Sequence, residues 1–300
     1  MLKCPVCSGE WGKCGAEYRR KNSNKVDYYC FQCMSKRKPV NILYENEKGR
    51  ITEYNIEDDK APDWFTIDQD LKEFSNTSKV PLKIHPTNIL LIGDLHLPFT
   101  LKNYLDFCTE IYDKYNCDHV IFMGDLIDNH FSSFHATDPD GLSAGDELDF
   151  AIKELQKWSK AFPEADVCHG NHDLILLRKA YKEGVSKRWI KDFAEVLGVN
   201  WNFQPSFEYN GCLFRHGMNM AASVKSGSEM MNVCQGHFHT KASIDWHVGR
   251  GKKVFGMQVP VGVDRESYAM AYAKEFPKQA IGCAVLLENG RLPVIEMMEL

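Results

Sequence analysis

No apolar run in these 300 residues approaches the roughly 20 needed to cross a bilayer. The opening Met1-Leu2-Lys3-Cys4 lacks the apolar stretch of a secretory leader. Neither an internal repeat nor a low-complexity tract is visible, which sets aside repeat architectures and disordered scaffolds. Strong net charge is also missing: the balance is −5, but it is uneven. Residues 1–38 hold nine Lys/Arg against three Asp/Glu, and the remainder holds 27 against 38. A basic segment on an acidic body points to an anionic partner for that segment, although random surface charge gives the same count. Hydrophobic content of 44% and charged content of 26% are those of a soluble globular protein. The expectation is a cytoplasmic chain without membrane contact, folded as one large domain or two smaller ones. Cysteine is not scarce. Eleven are present, and a reducing compartment favours metal ligation or free thiols over disulfides.

Four of those cysteines have telling spacing. Cys4-Pro5-Val6-Cys7 and Cys30-Phe31-Gln32-Cys33 are two C-x-x-C knuckles that can close a tetrahedral thiolate site. Residues 1–38 are too few to bury a useful core, so one structural zinc ion would supply their folding energy. The segment resembles a zinc ribbon. Cys14 is a fifth thiol whose spacing fits less well. Between the knuckles, Arg19, Arg20, Lys21 and Lys25 are interleaved with Tyr18, Tyr28 and Tyr29, a mixture suited to phosphates and stacked bases. A solvated hairpin with a small aromatic cluster has the same sequence signature.

Residues 39–87 form a linker or extension. The stretch from Val40 to Tyr54 predicts a hairpin turning at Glu47-Lys48-Gly49, followed by an acidic, proline-marked connection. From residue 88 to 300 the pattern is α/β. Helices are expected over Leu101–Tyr115, Asp146–Phe162, Leu174–Tyr181 and Trp189–Leu197. Leu148, Ile152, Leu155 and Trp158 form the inner stripe of the second. Strands are expected over Phe207–Tyr209, Cys212–Arg215, Asn232–Gln235, Ala242–Trp246, Val254–Val259 and Gly282–Leu287. Helix-flanked strands followed by a β-rich half point to a two-sheet sandwich with helices outside.

The most informative feature is repeated five times. Apolar strand-like runs end in Gly93-Asp94-Leu95-His96, Gly124-Asp125-Leu126-Ile127-Asp128, Gly170-Asn171-His172-Asp173, His216-Gly217 and Gly236-His237-Phe238-His239. A run apolar on both faces reads as a buried strand, and its polar end reads as the rim of a site. In this order the five motifs resemble those of the calcineurin-like metallophosphoesterase superfamily. The resemblance implies an α/β (α+β) fold, a four-layer β-sandwich flanked by helices. It also implies a dinuclear centre. Asp94, His96 and His239 would hold one metal, Asn171, His216 and His237 the other, and Asp125 would bridge them. Mixed carboxylate, imidazole and amide donors suit Mn, Fe, Zn or Ni rather than Ca, with Mn expected. Paired cations acidify a bridging water and neutralise phosphoryl charge.

His172, Asp128 and His130 are the candidate catalytic residues. The resemblance places His172 on the substrate side, where it would protonate the leaving oxygen or steady the phosphate. Asp173 would orient it from behind or simply cap the next helix. His135 is a weaker candidate. Asn129-His130 follows Asp128, where protein Ser/Thr phosphatases of this superfamily write Arg-Gly, and the third motif ends in Asp173 rather than Glu. Both departures lean toward the phosphodiesterase and DNA-repair exonuclease branches. The expected function is therefore a nuclease-like phosphodiesterase acting on DNA or RNA. The rival readings are a phosphatase for nucleotides, polynucleotide ends or phosphoproteins, and a non-catalytic nucleic-acid-binding protein.

Overall fold

The computed structural model describes residues 86–300 apart from 134–136, 250, 274–277 and 300, with backbone alone at 187 and 271–273. Nearer the N-terminus it describes the backbone of four strands. Strand β1 (Gly15–Arg19) pairs antiparallel with β2 (Val26–Cys30), and β3 (Ile42–Glu45) with β4 (Ile51–Tyr54). The second pair closes with Glu45 opposite Ile51, which is the hairpin expected around Glu47-Lys48-Gly49. Cys4, Cys7, Cys14, Cys33, Arg20, Lys21, Lys25 and His135 lie outside the described residues, as do the side chains of Arg19 and Cys30. The chain divides into two compact units, Met1–Asp70 and Leu71–Leu300.

The larger unit is built on two sheets. Strands β5 (Ile89–Ile92), β6 (His119–Phe122), β7 (Asp166–Cys168) and β8 (Asn202–Gln204) run parallel. Strands β9 (Ser206–Tyr209), β10 (Cys212–Arg215), β11 (Asn232–Gln235), β12 (Ser243–Gly249) and β13 (Lys252–Gln258) make a second sheet, ordered β12-β13-β11-β10-β9. The chain then returns as β14 (Gly282–Leu287) and β15 (Leu292–Met297), completing the first sheet as β15-β14-β5-β6-β7-β8. Pairing of β14 with β5 is antiparallel, so both sheets are mixed.

Successive side chains of a strand point to opposite faces, and here both faces are covered. Ile89, Leu91, Ile121 and Met123 of the first sheet meet Phe214, Cys234, Phe255 and Met257 of the second. Leu90, Ile92, Val120 and Phe122 point the other way, into a layer that holds Tyr104, Leu155, Trp158 and Trp201. Phe122 stacks on Trp201 at 4.6 Å and meets Trp158 edge-on at 5.8 Å. Each such fully buried side chain contributes about 1.5–3 kcal/mol. Helices α1 (Tyr104–Lys114), α2 (Ala144–Ala161) and α4 (Phe193–Leu197) contribute to that layer, α3 (Ile175–Lys182) follows β7, and α5 (Ala222–Glu229) packs against β11 and β13. The result is a mixed α/β sandwich with helices outside both sheets. Among the described residues, no helix is long and apolar enough to cross a membrane.

Local chemistry sets the helix ends. Ser143 caps α2 by accepting the Asp146 amide at 3.2 Å, and Asp146 and Glu147 place negative charge in its first turn. The expected helix from Trp189 is shorter than the apolar spacing implies. Asp192 captures the Ala194 amide at 3.0 Å and starts α4 only at Phe193, leaving Trp189 in a separate 3₁₀ turn.

Candidate metal centre

All five motifs leave the C-terminal ends of strands, three from the first sheet and two from the second. The loops after β5 and β6 are tied directly: the amides of Leu95 and His96 both donate to the Asp125 carbonyl, at 3.1 and 2.9 Å. The backbone is left-handed at His96 (φ 48°) and Asp125 (φ 47°) in these two loops, and at His237 (φ 75°) in the fifth motif. Such conformations cost about 1–3 kcal/mol each for non-glycine residues and cluster at functional sites. Gly170 allows the third loop to close in, since a Cβ there would lie 2.1 Å from both the amide nitrogen and Oδ1 of Asp125.

Two groups of donor atoms result. In one, His239 Nε2 lies 3.0 Å from Asp94 Oδ2 and 3.2 Å from His96 Nε2. In the other, His216 Nε2 lies 3.0 Å from Asn171 Oδ1, 3.2 Å from His237 Nδ1 and 3.2 Å from Asp125 Oδ2. The same Asp125 oxygen is 3.8 Å from His96 Nε2, so it stands between the groups. Donors around an ion with bonds of 2.0–2.1 Å sit about 3.0–3.4 Å apart, which these spacings match. His216 Nδ1 faces the Met123 carbonyl at 2.9 Å and His96 Nδ1 faces Asp128 Oδ1 at 2.6 Å. Both bonds use the Nδ1 proton and leave Nε2 as a lone pair aimed inward. In the neutral imidazoles these lone pairs converge on a point that suits a cation; a protonated His216 Nε2 would instead donate to the facing Asn171 and Asp125 oxygens.

The electrostatics agree. Asp94 and Asp125 are 0% and 1% exposed, a costly placement for two carboxylates without cations. Burial opposes ionisation of Asp94, but His216 and the bond to His239 outweigh it and hold the carboxyl below its usual range. Burial likewise opposes charge on His216, yet Asp125 and Asp94 raise it to about 9. Burial, together with the charge on His216, lowers His237 to about 4. The field inside the pocket therefore favours a cation.

The remaining candidates surround this core. His172 places Nδ1 2.6 Å from the Asp128 carbonyl, and its amide donates to Asp125 Oδ1 at 2.8 Å. Its Nε2 has no hydrogen-bond partner among the described residues, and its ring meets His96 edge-on at 4.6 Å. Asp128 is 1% exposed and holds His96. His130 is also buried. Its Nε2 accepts the Asp138 amide at 3.2 Å, and its Nδ1 lies 4.0 Å from Asp128 Oδ2, beyond hydrogen-bond distance. Asp173 makes no hydrogen bond to His172, although its charge helps raise that imidazole. Its hydrogen bonds go to the amides of Leu126, Ile127 and Gly170, tying the second and third loops, while α3 has no side-chain cap. Burial and the Asp125 charge push Asp173 up to about 7. Glu147, on α2, was not singled out by the motifs; it is buried and accepts the amides of His130 and Phe131 at 2.7 and 3.3 Å.

The clusters Asp94–His96–His239 and Asp125–His216–His237 are groups that could hold divalent metal ions. The family described as calcineurin-like phosphoesterase matches residues 87–239, and the chain belongs to that family. Membership implies phosphoester hydrolysis with divalent metals at this centre. No relative was found among curated protein sequences. Solved structures with similar folds include the phosphoesterase Yfce from E. coli, at 13% identity over 66% of this chain and 87% of that one, with a TM-score of 0.35. Vacuolar protein sorting 29 from Cryptosporidium parvum is 14% identical over 72% and 98%, with a TM-score of 0.34. The nuclease MPE from Pseudomonas putida is 13% identical over 69% and 87%, with a TM-score of 0.30.

Proposed function

We propose that this chain is a two-metal phosphodiesterase that cleaves nucleic acid. The observation that carries the catalytic half is Asp125 Oδ2 standing between two donor groups, 3.2 Å from His216 Nε2 and 3.8 Å from His96 Nε2. Asp94, His96 and His239 would hold one divalent cation, Asn171, His216 and His237 the second, with Mn favoured by the mixed donors. When bound, the cations supply an acidified water and neutralise charge on the phosphoryl oxygens. The protein's own part is proton delivery and alignment. His172 donates Nδ1–H to a backbone carbonyl, which fixes its ring and leaves Nε2 to carry the proton for the departing oxygen. Asp128 and His130 act through others in this reading: Asp128 fixes the His96 ring, and His130 lies behind Asp128.

The substrate half rests on two features. Asn129 stands where an arginine would clamp a phosphomonoester, and its amide is occupied by the His172 carbonyl at 3.0 Å. Residues 1–38 carry the excess of positive charge, and Cys4, Cys7, Cys30 and Cys33 have the spacing of a structural zinc site. In this proposal Arg19, Arg20, Lys21 and Lys25 contact the polymer backbone, residues 39–87 connect, and residues 88–300 catalyse.

The test uses the full chain with Mn and labelled single- and double-stranded DNA and RNA, with Asp125→Asn as control. Cleavage of at least one polymer that Asp125→Asn loses is the expected result. Turnover of nitrophenyl phosphate or phosphoprotein alone would overturn the substrate, and no hydrolysis of any ester would overturn catalysis.

A further inference from the structure

Glu147 is an unusual core residue. It lies on the inward face of α2, one turn before Ala151 and two before Leu155, both fully buried. A buried carboxylate costs several kcal/mol unless hydrogen bonds compensate. No lysine, arginine or histidine pairs with it among the described residues. Its two oxygens instead take one amide each, His130 N–H at 2.7 Å and Phe131 N–H at 3.3 Å. An apolar side chain would fill the helix face at lower cost, so the carboxylate is explained by what it holds.

What it holds is the turn that follows Asp128. That turn begins at Asn129, in left-handed backbone at φ 53°, and continues as the 3₁₀ segment His130–Ser132. A second attachment lies at the far end of the same loop, where the Tyr268 hydroxyl accepts the Leu142 amide at 3.0 Å and the Tyr268 ring meets the His130 ring edge-on at 5.2 Å. Between them the Asp138 amide donates to His130 Nε2. These attachments all lie on the C-terminal side of Asp128, whose own amide is tied on the other side to the Leu97 carbonyl at 3.0 Å. Asp128 is the point where this matters. Its carboxylate holds the His96 ring at 2.6 Å, and its backbone carbonyl holds the His172 ring at 2.6 Å. One residue thus orients a proposed metal donor with its side chain and the proposed proton donor with its main chain.

We propose that Glu147 is a positioning residue: by clamping the amides of His130 and Phe131 it sets the backbone of Asp128, and through it the orientation of both His96 and His172. The idea rests on the two-metal hydrolysis proposed above for its kinetic and manganese arms, while the exchange arm reads the clamp by itself. A loosened clamp lets the Asp128 carbonyl and carboxylate drift together, so the loss falls on turnover and on the His96 metal site rather than on substrate binding. Partners that orient metal donors typically change affinity or activity about 10–100-fold when removed.

The experiment compares the full chain with Glu147→Ala and Glu147→Gln by three measurements. Amide hydrogen exchange at His130 and Phe131 reads the clamp itself. Manganese titration reads the donor geometry, and kcat with KM on bis(p-nitrophenyl) phosphate reads turnover. For Glu147→Ala the expected result is faster exchange at those two amides, a kcat lower by about 10–100-fold and a KM within about twofold. Glu147→Gln keeps one acceptor oxygen and the side-chain shape, so it should lie between wild type and Glu147→Ala in all three. It also serves as the reading variant if Glu147→Ala does not fold. Unchanged exchange at His130 and Phe131 would overturn the clamp. Faster exchange with kcat and the manganese midpoint both within twofold of wild type would show that Glu147 serves folding alone, and would equally overturn the proposal. A wild type that turns over no ester overturns the proposed function instead, and the exchange arm still decides the clamp.

Discussion

Replacing Asp128 by Asn tests the metal donor set at its most sensitive joint. The carboxylate receives the His96 Nδ1 proton at 2.6 Å in a site 1% exposed. A hydrogen bond to a charged partner contributes about 1.5–3 kcal/mol, against about 0.5–1.5 kcal/mol for a neutral one. The substitution preserves shape and an acceptor oxygen, so the expected loss is the difference, about 1–1.5 kcal/mol. At 1.4 kcal/mol per decade that is about a tenfold rise in the manganese concentration needed to fill the His96 side of the centre. The His172 ring is held by the backbone carbonyl of the same residue, which the exchange leaves in place. Activity at saturating manganese should therefore fall by no more than a few-fold, in keeping with the small energy at stake. Isothermal titration of metal-free protein with manganese reads the affinity, and initial rates at high manganese read the rest. A titration curve superimposable on that of wild type would refute the claim that Asp128 orients a metal donor.

Four further outcomes follow from the same geometry. His172→Ala should lose about 10²–10⁴-fold on a dinucleotide, whose alkoxide leaves poorly, and much less on a p-nitrophenyl ester; equal losses on both would remove its proton-donor role. Gly170→Ala drives a Cβ to 2.1 Å from Asp125, and overpacking of this kind costs about 1–3 kcal/mol or more. Calorimetry should show a Tm lower by about 2–4 °C per kcal/mol, and an unchanged Tm would contradict the close approach. Chelation should abolish turnover and lower Tm, and manganese at 100 times its Kd should restore about 2.7 kcal/mol; a Tm indifferent to manganese would argue against a built site. Burial between Phe193 and Phe203 lowers His169 to about 4 from 6.5. Above pH 6.5 it is neutral folded and unfolded, and between pH 6.5 and 4 only the unfolded chain takes the proton, so stability falls as pH falls through that window. His169→Phe should flatten the dependence in urea titrations at pH 7 and 5, and parallel profiles would exclude His169 as its source.

That these motif residues come together was legible in the sequence because each motif is local: a buried run, then polar residues at its end, with glycines such as Gly170 permitting close approach. Strands Cys212–Arg215, Asn232–Gln235 and Gly282–Leu287 were also legible, as short segments with apolar centres, too short for helices. What was hidden depended on partners distant in sequence. Strand β8 is three residues, Asn202–Gln204, and forms only as the outermost member of a sheet already built. Strand β15 contains Pro293, which an edge position tolerates. Helix α5 reads Ala-Ser-Val-Lys-Ser-Gly-Ser-Glu, weak in propensity, and forms by packing on β11 and β13. Within the site, Asp173 follows His172 directly, yet folding sends its carboxylate to Leu126 and Ile127, 47 and 46 residues away. In sequence Glu147 is one of two acidic residues in the first turn of an amphipathic helix. Only the loop laid over it shows why it faces inward.

Donors drawn from both sheets have a consequence for assembly. Asp94, His96, Asp125 and Asn171 lie on loops that follow strands of one sheet, while His216, His237 and His239 follow strands of the other. Ions seated among them would rivet the two slabs together at one end of the sandwich. Neither slab alone offers a complete cage, so tight capture of metal must wait until the halves have met, and the ions would then act as a lock on a finished fold rather than a seed for it.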